Sequence, residues 1–381
     1  MDIVLKYPIV HDDYTAVAEQ MFDVPHVEES VSIITNNIAP PENWNIGLIY
    51  GPSGSGKSTL LKTFGKIPEF MWDDLAVISN FDYITPEKAT ELFCAVGFGN
   101  VPAWLRPFKA LSNGEQFRCN VARAMSEESE IILIDEFTSV VDRNVAKSAS
   151  NALQKYVRNT NKKVVVASCH ADIIEFLQPD WVYNPTEAST HVLPRGSLQR
   201  PEISLKVFRS KYEAWELFKH HHYLNADINK GARCFLITWN DNPVAFSAAL
   251  AHPNAYKKDC WRESRTVVLP DFQGLGIGVK VSDYIGSMVK AGGGTYYSKT
   301  IHPAMIAYRL KSEKWIETSH SRKVRKLDTR DKKWLVSNRF CYSFEYVGGM
   351  SSAADAQLFW EELDTKKSRL RLKSERKFLT E

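Results

Sequence analysis

The chain has 381 residues, 44% of them hydrophobic and 24% charged, which predicts two domains and excludes a mostly disordered chain, a collagen and a disulfide-stapled miniprotein. No run of about 18 apolar residues occurs, no basic-then-apolar leader opens the sequence, and the six cysteines (94, 119, 169, 234, 260, 341) form no CxxC pair. These features predict no membrane contact and free thiols in a reducing cytoplasm, the host's if the source is viral. The net charge of +3 hides a split: residues 1–200 hold 17 Lys/Arg against 25 Asp/Glu, and residues 201–381 hold 31 against 20. Opposite signs suggest two jobs, with a polyanion as a candidate partner of the second half.

In chain order, WNIGLIYG (44–51), AVISNFD (76–82), IILIDEF (131–137) and KVVVASC (163–169) read as short strands. The runs at 44–51, 131–137 and 163–169 suit a buried parallel sheet, and the helical patterns between them predict an α/β domain over 1–200. DWVYNP and THVLPRG predict a closing hairpin, and LPRGSLQRPEIS (193–204) a linker. A second α/β (α+β) domain is expected over 201–350. It comprises a strand SLKVFR, a helix YEAWELFKHHHYL, two strands around an Asn-Asp-Asn-Pro turn, and a strand RTVVLP. A helix over 279–291, a strand TYYSKTI, a helix PAMIAYRLKSEKW and a strand over 339–348 complete it. The basic stretch 365–378 predicts a helical tail within 351–381.

GPSGSGKST (51–59) fits G-x-x-x-x-G-K-[ST] between a strand and a helical pattern, the context of a phosphate loop. Gly51, Gly54 and Gly56 let the backbone bend so that its N–H groups face phosphate. Lys57 neutralises β/γ charge, Ser58 offers a hydroxyl to Mg²⁺, and Ser53 and Thr59 complete the ATP-binding set. Asp135, ending a strand, suits the Mg²⁺ shell, and Glu136 suits a general base for the attacking water; the alternative for both is a helix cap.

LSNGEQFRCNVARAM (111–125) precedes that strand, and here the sequence resembles the ABC ATPase superfamily, whose signature LSGGQ or LSGGE opens a helix. The resemblance rests on Leu111, Ser112, Asn113, Gly114 and Glu115, on DEFTSVVD (135–142) against DEPTSALD, and on His170 after KVVVASC. It implies that Ser112, Gly114 and Glu115 serve the nucleotide of a second copy, that Asp142 is the D-loop acid, and that His170 contacts the γ-phosphate. It further implies an ATP-dependent homodimer. Two departures stand: Phe137 replaces a proline, and Asn80 takes the place of the Q-loop glutamine. Only 53 residues (58–110) separate Lys57 from the signature, and no coiled-coil insertion exists, which favours the non-transport branch. Phe22 is the candidate adenine-stacking aromatic.

VVLPDFQGLGIGVKVSDYI (267–285) resembles motif A of the GNAT acetyltransferases through Val268, Pro270, Gln273, Gly276 and Gly278. Consecutive N–H groups over Gly274, Leu275, Gly276, Ile277 and Gly278, opening a helix, form a nest for a pyrophosphate. The resemblance implies acetyl-CoA as cofactor, with Val268 pairing the pantetheine, and Tyr308, in an A-x-x-x-Y segment after Ala304, as the acid that protonates the thiolate. His220, His221, His222, Tyr223, Glu263 and Asp271 are candidate bases. A solvated helix end is the alternative for the histidines, and a core aromatic for Tyr308.

Eleven basic residues in 309–339, from Arg309 and Lys314 to Arg322 and Arg339, are interleaved with Trp315 and Trp334, and Lys366, Lys367, Arg369, Arg371, Lys373, Arg376 and Lys377 follow in the tail. Cations with stacking aromatics suit nucleic acid, and a solvated face is the alternative. The expectation is an ABC ATPase joined to an acyltransferase acting on a nucleic-acid base amine, similar to phage and prokaryotic base-modification fusions. An acetyltransferase of proteins or small amines, or a non-catalytic module, remains open.

Overall fold

The computed structural model describes residues 2–222, 227–324, 340–362 and 371–379. The chain opens with β1 (Asp2–Pro8), α1 (Asp13–Phe22) and β2 (Glu29–Thr35), the two strands pairing antiparallel. Then come β3 (Ile46–Tyr50), α2 (Lys57–Leu61), α3 (Pro86–Ala95), α4 (Val101–Trp104), α5 (Asn113–Ser126), β4 (Ile131–Ile134), α6 (Arg143–Thr160), β5 (Lys163–Ser168) and α7 (Ile174–Leu177). The expected hairpin is β6 (Trp181–Asn184) and β7 (Ser189–Val192).

Five of these strands form a sheet in the order β4-β5-β3-β6-β7, parallel except for its last pair. Alternate side chains enter two cores. Ile46, Leu48, Val164 and Val166 join Val77, Phe93, Phe117 and Leu153, whereas Ile49, Val165 and Ala167 join Leu60, Leu61, Ile34 and Trp181. A strand with both faces covered needs no polar alternation, which is why these runs are continuously apolar. Each such side chain contributes about 1.5–3 kcal/mol on burial.

AVISNFD is not a strand. Val77–Phe81 forms a 3-10 turn, with Val77 and Phe81 buried. Asn80 explains the change: its side chain accepts from the Asp73 amide (2.9 Å) and donates to the Ala76 carbonyl (3.1 Å). Such local bonds compete with a strand ladder.

The second half comprises β8 (Glu202–Ser210), β9 (Arg233–Trp239), β10 (Asn242–Ala251), β11 (Cys260–Val268), α8 (Ile277–Ala291), β12 (Thr295–Thr300), α9 (Pro303–Lys311), β13 (Trp315–Glu317), β14 (Lys323–Val324), β15 (Phe340–Tyr346), α10 (Ala353–Trp360) and β16 (Arg371–Leu379). The sheet order is β13-β15-β12-β11-β10-β9-β8-β16, with β14 also on β15. Asn240 and Asp241 turn β9 into β10 with φ of 48° and 62°, the left-handed pair a tight hairpin requires. Only β11 and β12 run parallel, and they pair only from Cys260–Arg262 to Thr295–Tyr297. Beyond Arg262 the two strands diverge. A register shift opposite Ala248 and Ala249 leaves Ser264 as a bulge at the start of the divergence.

Three expected helices are altered. YEAWELFKHHHYL gives two 3-10 turns, Tyr212–Leu217 and Lys219–His221. α9 stops at Lys311, because Trp315 turns into β13 and is buried against Tyr346 and Arg309. The basic tail holds a strand: β16 pairs with the free edge of β8 and satisfies backbone groups that a helix would leave open. Tyr223, Trp334, Arg339, Lys366, Lys367 and Arg369 lie outside the described residues.

Candidate functional site

The carboxyl ends of β3, β4 and β5 point the same way, and in an open parallel sheet ligands gather there. After β3, the loop 51–56 turns through Gly54 (φ 77°) and Gly56 (φ 86°), and Gly56 caps α2. A Cβ on Gly56 would come within 2.7 Å of Ile34, whereas Gly54 faces open space. The loop is therefore both forced and hollow, as a phosphate cradle must be. Gly51 is buried at the strand end, Ser53 and Ser58 are exposed, and Thr59 is half-buried. Lys57 folds back, its Nζ donating to the Pro52 carbonyl at 2.6 Å, so a cation already lies across the loop.

Asp135 and Glu136 follow β4. Glu136 sits at φ 46° and is exposed, and its amide donates to Asp135 Oδ1 at 2.9 Å. Thr138 has φ 71°, an outlier for a β-branched residue, and is fully buried beside Ser168. This strained turn sets the direction of the acid before it. His170 follows β5; its amide donates to Ser168 Oγ at 3.2 Å. Burial, reinforced by Arg143 and opposed by Asp172, holds the His170 imidazole below its usual range, hence neutral at pH 7.

The signature opens α5 with a capping box. Ser112 Oγ accepts from the Glu115 amide, and Glu115 Oε2 accepts from the Ser112 amide at 3.1 Å. Glu115 is only 8% exposed and its other oxygen accepts from Asn100 at 2.8 Å. Its carboxylate thus holds the helix start rather than a nucleotide. Ser112 and Asn113 remain exposed, and Gly114 packs on Val145 of α6. Asp142 caps α6 through the amides of Asn144 (2.8 Å) and Val145 (3.1 Å). Asn80, committed to its own turn, is not a free Q-loop side chain. Phe22 ends α1 with 73% of its surface exposed, and Ile34, not Phe22, packs on the phosphate loop.

The second glycine loop repeats the device of the first. Gly274 (φ 98°) and Gly276 (φ 82°) turn the chain from β11 into α8, which Gly276 caps; Leu275 and Ile277 anchor it in the core, and Gly278 packs on Val268. The loop lies against the first half. Gln273 Oε1 accepts from the Gly99 amide (2.7 Å), its carbonyl accepts from Arg118 (3.0 Å), and Ser148 and Asn151 of α6 donate to the carbonyls of Asp271 and Gly274, each at 2.9 Å. Gln273 Nε2 donates to the Val268 carbonyl at 2.9 Å, which occupies that backbone acceptor.

The transferase candidates divide. Glu263 is buried in an ion pair with Arg309 (2.7 Å) and accepts from Thr266 (2.6 Å) and Ser298 (2.5 Å), so it offers no free base. The Tyr308 phenol donates to Asp283 of α8, which also takes Trp315 Nε1 (2.8 Å) and Lys314 Nζ (3.0 Å). Glu115 and Asp271 line one small pocket, and His221 feels the charge of both. Burial lowers the imidazole and raises the Asp271 carboxyl, and His221 Nδ1 has no hydrogen-bond partner among the described residues. Arg309 and Trp315 are buried in the core, whereas Lys314 and Arg322 are exposed, Lys314 pairing with Asp283 at 3.0 Å and Arg322 with Glu317 at 2.9 Å.

Arg118 escapes sequence reasoning. It is 2% exposed and joins Gly97, Ser148 and Gln273. Its signal is a cation on the same helical face as Val121, Ala122 and Met125. A cavity of about 600 Å³, lined by Trp44, Asn45, Lys163, Asp180 and Arg195, lies at the opposite end of the first sheet from the phosphate loop. No described helix is long and apolar enough to cross a membrane.

No family model matches the chain. It is 24% identical over 189 residues to a lipoprotein-releasing-system ATP-binding protein of Rhodospirillum rubrum, covering 38% of this chain and 84% of that protein. It is 35% identical over 121 residues to a methionine import ATP-binding protein of Clostridium tetani, covering 32% and 37%. A phosphonates import ATP-binding protein of Lactococcus lactis is 36% identical over 63 residues, covering 16% and 26%. The chain thus spans most of the first relative but well under half of the other two. Solved structures that align include a dimeric ATP-binding cassette bound to ADP and Pi in a post-hydrolysis state (19% identity, 44% of this chain, 94% of that chain, TM-score 0.36). Another is cbiO1 from Clostridium perfringens (17%, 39%, 76%, TM-score 0.33). Together with the phosphate loop and the acids at the neighbouring strand end, these matches make the N-terminal part of the chain similar to the ATP-binding proteins of ABC systems.

Proposed function

We propose that this chain couples ATP-driven closure of two ABC domains, one from each of two copies, to acyl transfer from acetyl-CoA to an amine. The observation that carries the transferase half is the Pro270–Gly278 loop: two left-handed glycines open a buried-core helix directly after a strand that diverges from its parallel neighbour. The strand order around that divergence and the bulge at Ser264 support a GNAT-like domain. The backbone edge of β11 beyond Arg262 suits pantetheine, and the loop amides suit its pyrophosphate. Exposed Ser112 and Asn113 at the start of α5 support a signature turned toward a second copy's nucleotide.

In the ATPase half, Lys57 leaves the Pro52 carbonyl for phosphate, Glu136 takes the proton of the attacking water, and neutral His170 donates toward the γ-phosphate. Mg²⁺, held by Ser58 and Asp135, would supply charge neutralisation. In the transferase half, the amine forms a C–N bond as the C–S bond breaks. His221, held neutral by burial, takes the amine's proton, and the departing thiolate takes one in turn. The basic excess of residues 201–381 supports a polyanionic acceptor, and we propose an amine on a nucleic-acid base.

Labelled acetyl-CoA supplied to the full chain with oligonucleotides, peptides or polyamines tests this reading. We expect label on the oligonucleotide, lost in Gly276→Glu and His221→Gln while ATP turnover persists. Label on peptides alone would move the acceptor to protein. No label and no thermal shift with acetyl-CoA would refute the transferase. One observation favours a second reading: the Glu263–Arg309 pair fills the divergence of β11 and β12, and Tyr308 is held by Asp283, as suits a half that binds a carrier without reacting. That reading predicts coenzyme A binding without label transfer.

A further inference from the structure

The β1–α1–β2 unit has little core of its own. α1 buries none of its side chains, and along β1 and β2 only Ile34 is buried. A ten-residue helix and a two-stranded sheet are marginal without burial or a staple. Four polar side chains from three segments converge where the chain enters and leaves α1. His11 precedes the helix, Glu19 lies on it, and His26 and Glu28 follow it. The two imidazole rings lie 4.0 Å apart.

His11 Nε2 lies 3.1 Å from the Val27 carbonyl, which can only accept. That nitrogen therefore carries the proton, and Nδ1 presents a lone pair. Nδ1 is buried without a hydrogen-bond partner among the described residues, 3.4 Å from Glu19 Oε1. His26 Nδ1 meets Glu19 Oε2 at 3.1 Å, and its Nε2 lies 3.6 Å from Glu28 Oε1. One donor atom each from His11, His26 and Glu28 lies within 4.8 Å of the others.

We propose that His11, His26 and Glu28 bind a divalent transition-metal ion of the zinc class, with the Val27 carbonyl supporting the His11 imidazole and Glu19 that of His26. Two imidazoles and one carboxylate form a borderline donor set suited to zinc, whereas Mg²⁺ and Ca²⁺ take all-oxygen shells, so this ion is distinct from the one that accompanies ATP. Imidazoles whose second nitrogen bonds a backbone carbonyl or a carboxylate are the form that metal-bound histidines adopt. The ion ties both ends of α1 to the start of β2 and replaces the missing core.

Co²⁺ is the probe, titrated into chelator-stripped, nucleotide-free full chain and followed by its visible absorption, then displaced with Zn²⁺. The expected result is one equivalent with a low-coordinate spectrum, lost in His26→Gln and Glu28→Gln. Glu19→Gln should weaken binding about 10–100-fold. His191→Gln, in the exposed Glu187–His191 pair of the β6–β7 hairpin, should leave the spectrum unchanged. Should His26→Gln fail to fold, Glu28→Gln, at an exposed position, gives the reading alone. Absence of the band, or a band of unchanged intensity in Glu28→Gln, overturns the proposal.

Discussion

Arg118 is buried where three segments meet. Burial brings its guanidinium down to about 10, against the pull of Asp271, Asp142 and Glu115, so it stays charged at neutral pH. Arg118→Met keeps much of the volume but leaves the carbonyls of Gly97 and Gln273 and the Ser148 hydroxyl without this donor. Each buried group so stranded costs about 1–3 kcal/mol. We expect a marked fall in melting temperature and a split of the calorimetric transition; one unchanged transition would refute the linking role. Glu136→Gln should slow ATP turnover at least about 100-fold and accumulate an ATP-bound dimer on size exclusion; undiminished turnover would remove Glu136 as the base. At this scale the turn through Gly54 and Gly56 is legible from sequence, because a left-handed backbone asks for glycine at both. The strand expected over 76–82 is misread, because nothing in a short run says that the Asn80 side chain turns back onto its own backbone. Arg118 is missed, because a cation in an amphipathic helix reads as solvated.

Among the elements, α6 depends on its first turn. Asp142 supplies its cap, and Asp142→Ala should cost about 1 kcal/mol of stability, read by urea unfolding with ATP absent so that nucleotide contacts do not enter. α9 depends on Arg309. Burial pushes the Glu263 carboxyl up, and Arg309 with Ser298 and Thr266 more than reverses this, leaving it below the usual range. Stability from the pair is therefore full above the ordinary carboxylate value of about 4.3 and is lost as pH falls through the lower folded value. Arg309→Ala strands the carboxylate and should cost about 3–5 kcal/mol at pH 7. The gap from wild type should narrow toward pH 3.5; a pH-independent gap would refute the pair's role. Strands of the first sheet and the long helices are legible because their periods are sustained. The 3-10 turns at Val77–Phe81 and Tyr212–Leu217 are not, since side-chain bonds and local packing decide them. β16 is not either, because its partner β8 lies about 170 residues away in sequence.

Across the whole molecule, two loops share one construction: Gly54 and Gly56 in the first, Gly274 and Gly276 in the second, each opening a helix with left-handed glycines. α6 runs from Asp142 past the second loop, where Ser148 and Asn151 hold the backbone of Asp271 and Gly274. A shift of α6 on nucleotide binding would therefore displace the second loop, and coupling of this kind would be reciprocal. The first parallel sheet and the turn of the first loop are legible from sequence; the contact between α6 and the second loop is not, because nothing in a linear pattern pairs Asn151 with Gly274.

Isothermal titration of coenzyme A into the full chain, alone and saturated with a non-hydrolysable ATP analogue, tests the two-loop account most directly. It predicts one coenzyme site per chain in both conditions, with an affinity changed about fivefold or more by nucleotide. Absence of coenzyme binding, or its displacement by the nucleotide from a shared site, would contradict it.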